Sequence, residues 1–472
     1  MDIFDIVIVA IYLIALFTWA IYIGMRETAD DFLILSRKAP LLLVMFSIIS
    51  TWVGTGTTVA TAASGYDTGI SLGFTAAAGG ILGVLIAAWF APKLKWFGDK
   101  FKAHTLGDFF SERYSSHSRL ISSGLILFVY ILLTAAQFVG LATLLEVWTG
   151  LEFEIIIWFA AVSTIIYTAF AGIKSDFYTD VVHFFIMFIV LFIILLPVTL
   201  NHIGGISQLK ILPDSYFNPF AYGGISFFVA GLIFGSGSVF VTMEVWQRIY
   251  ASSTERVAQL SLYFSVFIII SFYVVSAIFG MSAKIIEPNL LDRDQSIFYL
   301  MKTFLPKGIL GLGLAGFMAV FISTVNSTIM VSSATLTKDF YKGMLNPNVS
   351  DNKLLKFGRI ATLICGFIGV VIAIILPDII ALSVNALFML LILLPSVVGG
   401  FFWKKANANA AFSSVIAGGI VLIIFLFIEA STAFVPAFFV SLITFILISL
   451  FTKHSTYENL SITKGWLEKF SK

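Results

Sequence analysis

Apolar runs, each long enough to cross a bilayer, follow one another along the whole chain, separated by short polar stretches. They lie at 3–25, 41–65, 70–92, 120–147, 154–173, 178–200, 225–247, 258–282, 308–337, 358–377, 379–402, 409–430 and 432–452. The pattern predicts an all-α membrane protein with 13 transmembrane helices. The first run opens among two aspartates, Asp2 and Asp5, rather than basic residues and shows no convincing cleavage site, so it reads as a retained helix rather than a signal peptide.

Polar residues interrupt three of these runs near their middles. The run 308–337 contains Ser323-Thr-Val-Asn-Ser-Thr328, and Ser323 and Ser327 share one helix face. Polar groups at that depth cost free energy unless they turn inward and find partners, so this stretch is a candidate ion or solute site. The run 41–65 contains Ser50-Thr-Trp-Val-Gly54-Thr-Gly56-Thr-Thr, and the run 225–247 contains Phe234-Gly-Ser-Gly-Ser238. Glycine inside a helix costs roughly 1 kcal/mol relative to alanine, so each cluster is an expected unwinding point. Small residues also mark plain helix contacts. Three clusters at one depth, two of them five spans apart, favour a binding site between two inverted repeats. The expected layout is a 5+5 inverted repeat, 41–200 and 225–402. One extra helix precedes it at 3–25, two follow at 409–452, and a tail covers 453–472.

Composition and charge agree with a membrane protein. Hydrophobic residues make up 59% of the 472, charged ones 11%, and mean hydropathy is +1.01. The single cysteine, Cys365, excludes an internal disulfide and a metal–thiolate cluster. Most Lys and Arg fall in one set of connections, including Arg37, Lys38, Lys100, Lys102, Lys174, Arg248, Lys342, Lys404 and the tail's Lys453, Lys464, Lys469 and Lys472. The other side has Lys210, Lys284, Arg293, Lys302 and Lys307. The positive-inside rule then places the N-terminus outside and the C-terminus in the cytoplasm of a cell membrane. Trp19, Trp89, Trp96, Trp148, Trp246 and Trp403 fall near span ends, as an aromatic belt requires, whereas Trp52 is mid-span.

Four stretches resemble the sodium/solute symporter family, whose fold is the leucine-transporter type. They are Asp31-Phe-Leu-Ile-Leu-Ser-Arg37, Ala171-Gly-Ile-Lys-Ser with Tyr178-Thr-Asp180, Trp246-Gln-Arg248, and Ser323-Thr324 through Thr337-Lys-Asp339-Phe-Tyr341. The resemblance implies a sodium ion bound by the carbonyls of Ser50, Val53 and Val320 and the hydroxyls of Ser323 and Thr324. Some members hold a second sodium, and the matching positions are Asp180, Asn326 and Ser327, with Asn326 departing from the usual serine. The solute pocket is expected around Thr51, Trp52, Thr55, Gly56, Thr57 and Gln137, closed by Phe234, Gly235, Ser238 and Thr242. Thr51-Trp-Val-Gly54 is similar to the choline-transporting branch, where an aromatic face suits a quaternary ammonium. Glu244 could read a cationic group, or pair with Arg248 four residues on.

No phosphate-binding loop, zinc-ligand spacing or nucleophile–base set is present, so no enzyme activity is expected. The expected function is sodium-coupled import of an amino acid, quaternary amine, carboxylate or sugar-like solute by alternating access. Sodium is the only metal, no further cofactor or nucleic acid is expected, and a monomer in the bilayer suffices. A proton-coupled permease of the same fold, or a membrane sensor built on it, are the alternatives. Asp180 and His183 without a lysine beyond Lys174, and a tail too short for a domain, count against them.

Overall fold

A computed structural model describes residues 2–377, 382 and 385–452, so the tail lysines from Lys453 onward lie outside the described residues. The helices are α1 Ile3–Gly24, α2 Leu41–Trp52, α3 Thr61–Thr68, α4 Ile70–Phe101 and α5 Ser116–Thr149. They continue with α6 Phe153–Phe170, α7 Gly172–Ile203, α8 Gly224–Val241, α9 Met243–Ala251, α10 Glu255–Ile286 and α11 Ile309–Leu345. The last four are α12 Asp351–Ile375, α13 Ala386–Phe402, α14 Ala408–Ile428 and α15 Phe434–Phe451. Among the described residues, 11 helices are long and apolar enough to cross a membrane, and the bent pair α2–α3 makes a twelfth. The helix expected at 379–402 shows as the shorter α13, its first residues being outside the described set.

Burial separates an inner from an outer layer. In α11, 89% of the apolar window is buried and in α5 83%, against 11% in α1 and 22% in α15. Exposed Phe159, Phe267 and Phe427 suit a lipid-facing rim. Side chains satisfy the helix starts, Asp2 and Asp5 forming a capping box on α1 and Ser115 capping α5. Asp5 also ties α1 to the core: its carboxylate accepts the N–H groups of Gly308 and Gly311, at 2.8 and 2.7 Å, where the positive end of α11 favours an anion.

Small residues set the closest approaches. A Cβ on Gly280 of α10 would lie 1.9 Å from the Ala62 carbonyl oxygen of α3. Backbone cannot yield there, so Gly280→Ala is expected to lower stability by about 1–3 kcal/mol through overpacking. Thermal unfolding of the detergent-solubilised protein measures this, and an unchanged midpoint would mean that α3 and α10 lie further apart.

Two expectations about breaks are corrected. No loop separates the runs 154–173 and 178–200, because the chain reverses at Gly172 alone (φ 58°, ψ 175°) and Lys174–Phe177 are helical. Only glycine fits, since a Cβ would lie 2.2 Å from Glu27 Oε2 in a backbone conformation that L-residues avoid. The run 225–247 does not unwind at 234–238, which is helical. It breaks at Thr242 (φ −70°, ψ 120°), between α8 and α9. The 234–238 glycines serve close packing instead, a Cβ on Gly235 falling 3.1 Å from Gly79 Cα of α4. The break at 53–55 stands where the polar cluster placed it, and bends α2 against α3 by 59°.

Candidate ion and solute site

Helix α2 stops because Val53 leaves helical geometry (φ −82°, ψ 75°) and the Gly54 N–H turns back to the Trp52 carbonyl at 3.0 Å. Gln137 of α5 braces the unwound stretch, donating to Thr55 Oγ1 at 2.9 Å and accepting the Thr55 N–H at 3.1 Å. Gly54 leaves room for this: a Cβ there would lie 2.7 Å from Thr324 Oγ1 and 2.9 Å from Gln137 Oε1.

Helix α11 meets the break with two adjacent hydroxyls. Ser323 Oγ donates to the Ser50 carbonyl at 3.0 Å and to the Val320 carbonyl at 3.1 Å. Thr324 Oγ1 donates to the carbonyls of Thr51 at 3.2 Å and Val320 at 3.3 Å. Ser50, Val320, Ser323 and Thr324 thus converge in one buried spot of hard oxygen donors, while among the described residues no hydrogen bond joins Val53 to α11. Carbonyls and hydroxyls grouped in this way can replace the hydration shell of a small cation.

Asp180, Asn326 and Ser327 do not form a second such group. Asn326 Oδ1 turns to α6 and accepts from Thr168 Oγ1 at 2.5 Å. Asp180 and Ser327 instead face Arg248, whose side chain is buried. Its Nη2 lies 2.6 Å from Ser327 Oγ, 2.7 Å from Thr51 Oγ1, 3.2 Å from Asp176 Oδ2 and 3.6 Å from Asp180 Oδ2. Its Nε donates to Ser47 Oγ at 3.2 Å, and Ser47 in turn donates to Asp180 Oδ2 at 2.6 Å. One guanidinium on α9 therefore gathers α2, α7 and α11. One expectation changes here: Arg248, counted among the connection cations, is buried in the bundle, where Asp180 lies beside it. Asp176 was missed because its segment read as a connection. Two acids four residues apart in a helix that needs no loop are the signal that would have shown it. Trp246, expected in an interfacial belt, is also buried, its Nε1–H bonded to the Phe240 carbonyl at 2.8 Å.

A cavity of about 280 Å³ lies beside both breaks. Of the expected pocket residues, Thr51, Trp52, Gly56, Thr57, Gln137, Phe234, Gly235, Ser238 and Thr242 line it, together with Thr324. Thr55 stands behind Gln137 and does not. Glu244 also lines it, bonded to the Tyr130 hydroxyl and far enough from Arg248 that no ion pair forms between them.

The remaining motif residues brace one end of the bundle. Asp339 on α11 accepts from Thr105 Oγ1 and Ser123 Oγ, both at 2.8 Å, and from Arg119 at 2.9 Å. Asp31 pairs with Lys174 at 3.1 Å, and Arg37 donates to the Ala103 carbonyl at 2.7 Å.

Comparison with known proteins agrees with this architecture. The chain is 22% identical to a sodium/glucose cotransporter of Vibrio parahaemolyticus, over 98% of this chain and 92% of that protein. It is 28% identical to sodium/proline symporter 2 of Staphylococcus saprophyticus, over 77% and 76% respectively. Among solved structures, a substrate-bound, outward-open Na+-coupled sialic acid symporter superposes with a TM-score of 0.85 at 19% identity, covering 96% of this chain and 99% of that one. A profile of the sodium:solute symporter family matches residues 32–418, and the chain belongs to that family.

Proposed function

We propose that the protein is a sodium-driven symporter holding one sodium ion between α2 and α11 and a small organic solute in the adjoining cavity. The carrying observation is the convergence of the Ser50 and Val320 carbonyls with the Ser323 and Thr324 hydroxyls at the helix break. Thr324 borders both the ion group and the cavity, so sodium binding orders one wall of the solute site. Such coupling is reciprocal: solute tightens sodium by the factor that sodium tightens solute. Inward movement of one positive charge gains roughly 2.3 kcal/mol per 100 mV of membrane potential, which drives the solute. The basic connections favour an external N-terminus and a cytoplasmic C-terminus.

Arg248 supports a single ion. It fills the place where Asp180 and Ser327 would meet a second sodium, and the Asn326 amide oxygen is held by Thr168. A proton-coupled permease would set a basic residue at the first position, and the guanidinium is at the other. Uptake into proteoliposomes of amino acids, quaternary amines, sugars and carboxylates, with and without an inward sodium gradient, tests this reading. The expected result is gradient-dependent accumulation with equal fluxes of labelled sodium and solute. Accumulation indifferent to sodium would overturn it, and two sodium ions per solute would overturn the one-ion part.

A further inference from the structure

Glu244 is the one charged residue among the described residues that line the cavity. Its carboxylate accepts the Tyr130 hydroxyl hydrogen, and Tyr130 in turn accepts the Met243 N–H at 2.7 Å and the Glu244 N–H at 3.3 Å. The first two N–H groups of α9 are thereby occupied by Tyr130 and are not free to receive an anionic solute. The helix dipole eases the presence of a first-turn carboxylate but does not neutralise it. No Lys, Arg or His among the described residues forms an ion pair with Glu244, whereas Arg248, one turn away, is committed to Asp176 and Asp180. A carboxylate inside a membrane span is retained where something pairs with it, and here the open side of Glu244 is the cavity.

The rest of that cavity is suited to a cation with an apolar body. Rings of Trp52, Phe227, Phe234, Tyr273, Phe388 and Phe434 border it. Phe434 packs against Phe388 and Phe234 with centroids 4.8 and 5.5 Å apart, making one continuous aromatic wall. On another side, Trp52 Cζ2 and the Tyr273 hydroxyl both approach Gly80, 3.4 and 4.0 Å from where its Cβ would sit. Ring faces attract ammonium and quaternary ammonium groups, most strongly where water is excluded.

We propose that the solute is a compact organic cation, an ammonium or quaternary ammonium on a small apolar body, and that Glu244 is its counter-charge. The proposal rests on the symporter reading above for the cavity being the solute site. Its test is binding, which separates the two. The purified full chain is titrated in potassium buffer and in sodium buffer with 2-hydroxyethyl-trimethylammonium and with 3,3-dimethylbutanol, its neutral isostere, following ligand-induced thermal stabilisation. The cation is expected to bind more tightly than the isostere by about tenfold or more. Glu244→Gln, which keeps shape and the Tyr130 contact, is expected to weaken the cation by about tenfold and leave the isostere unchanged. Equal binding of the pair, no binding of the cation by the unsubstituted protein, or unchanged cation affinity in Glu244→Gln would each overturn the proposal. Charge preference without any effect of sodium would keep it and defeat the sodium reading.

Discussion

Sodium-driven uptake is expected to need roughly a hundredfold more sodium in the Ser323→Ala/Thr324→Ala double variant, since two cation contacts at about 1.5 kcal/mol each sum to ~3 kcal/mol. Removing two hydroxyls makes α11 more apolar, so the amount of protein reaching the membrane should not fall. Thr324 also borders the cavity, and Ser323→Ala alone separates the roles because Ser323 does not. That single variant is expected to shift the sodium dependence about tenfold while leaving solute affinity at saturating sodium unchanged. Sodium activation curves for the parent and both variants decide it. Coincident curves would remove these hydroxyls from the ion site.

Loss of Arg248 is expected to be the most damaging single change to the folded state. In Arg248→Gln, Asp176 and Asp180 would lie one turn apart on the same buried face of α7 with no balancing charge. Breaking a buried ion pair from one side typically costs about 3–5 kcal/mol, because the remaining charge has nowhere to go. The expected result is a sharp fall in monodisperse protein after solubilisation. Adding Asp180→Asn to the same chain should recover part of it, because one unpaired carboxylate then remains in place of two. Ser47 and Ser327 can still bond the asparagine and the glutamine. If the double variant is no better than the single, the damage comes from lost packing of the guanidinium, which also lies 5.3 Å from the centre of the Phe177 ring, and not from charge.

What the sequence made legible, and what it hid, follows from how each signal arises. Span positions came through because lipid imposes long apolar runs, and the α2–α3 break because Gly54 and Gly56 sit among hydroxyl residues in one such run. Ser323 and Thr324 stood out because a hydroxyl pair at mid-span is costly without inward partners. Arg248 was hidden by the assumption that arginine belongs at a surface, and nothing local to α9 reveals acids on α7 that are distant along the chain. Asp176 was hidden by a loop that does not exist, since a single glycine can reverse the chain where several residues are usually needed. The 234–238 glycines misled for a related reason: glycine permits unwinding and close packing equally, and which occurs depends on the neighbour it faces. Thr242, where α8 does end, has no such marker.

That reversal at Gly172 also governs how the transporter can move. A connection of one residue has no slack, so α6 and α7 cannot slide past each other or rotate separately as helices joined by a flexible loop can. Thr168, four residues before the joint, grips Asn326, and Asp176, four residues after it, grips Arg248 and Ser327. The two helices therefore act as a rigid elbow clamped to α11 on both arms. Any displacement of α11 is delivered to the elbow as a whole. The natural moving unit is then α6, α7 and α11 together, and the compliant joints lie elsewhere, at Val53–Thr55 and at Thr242.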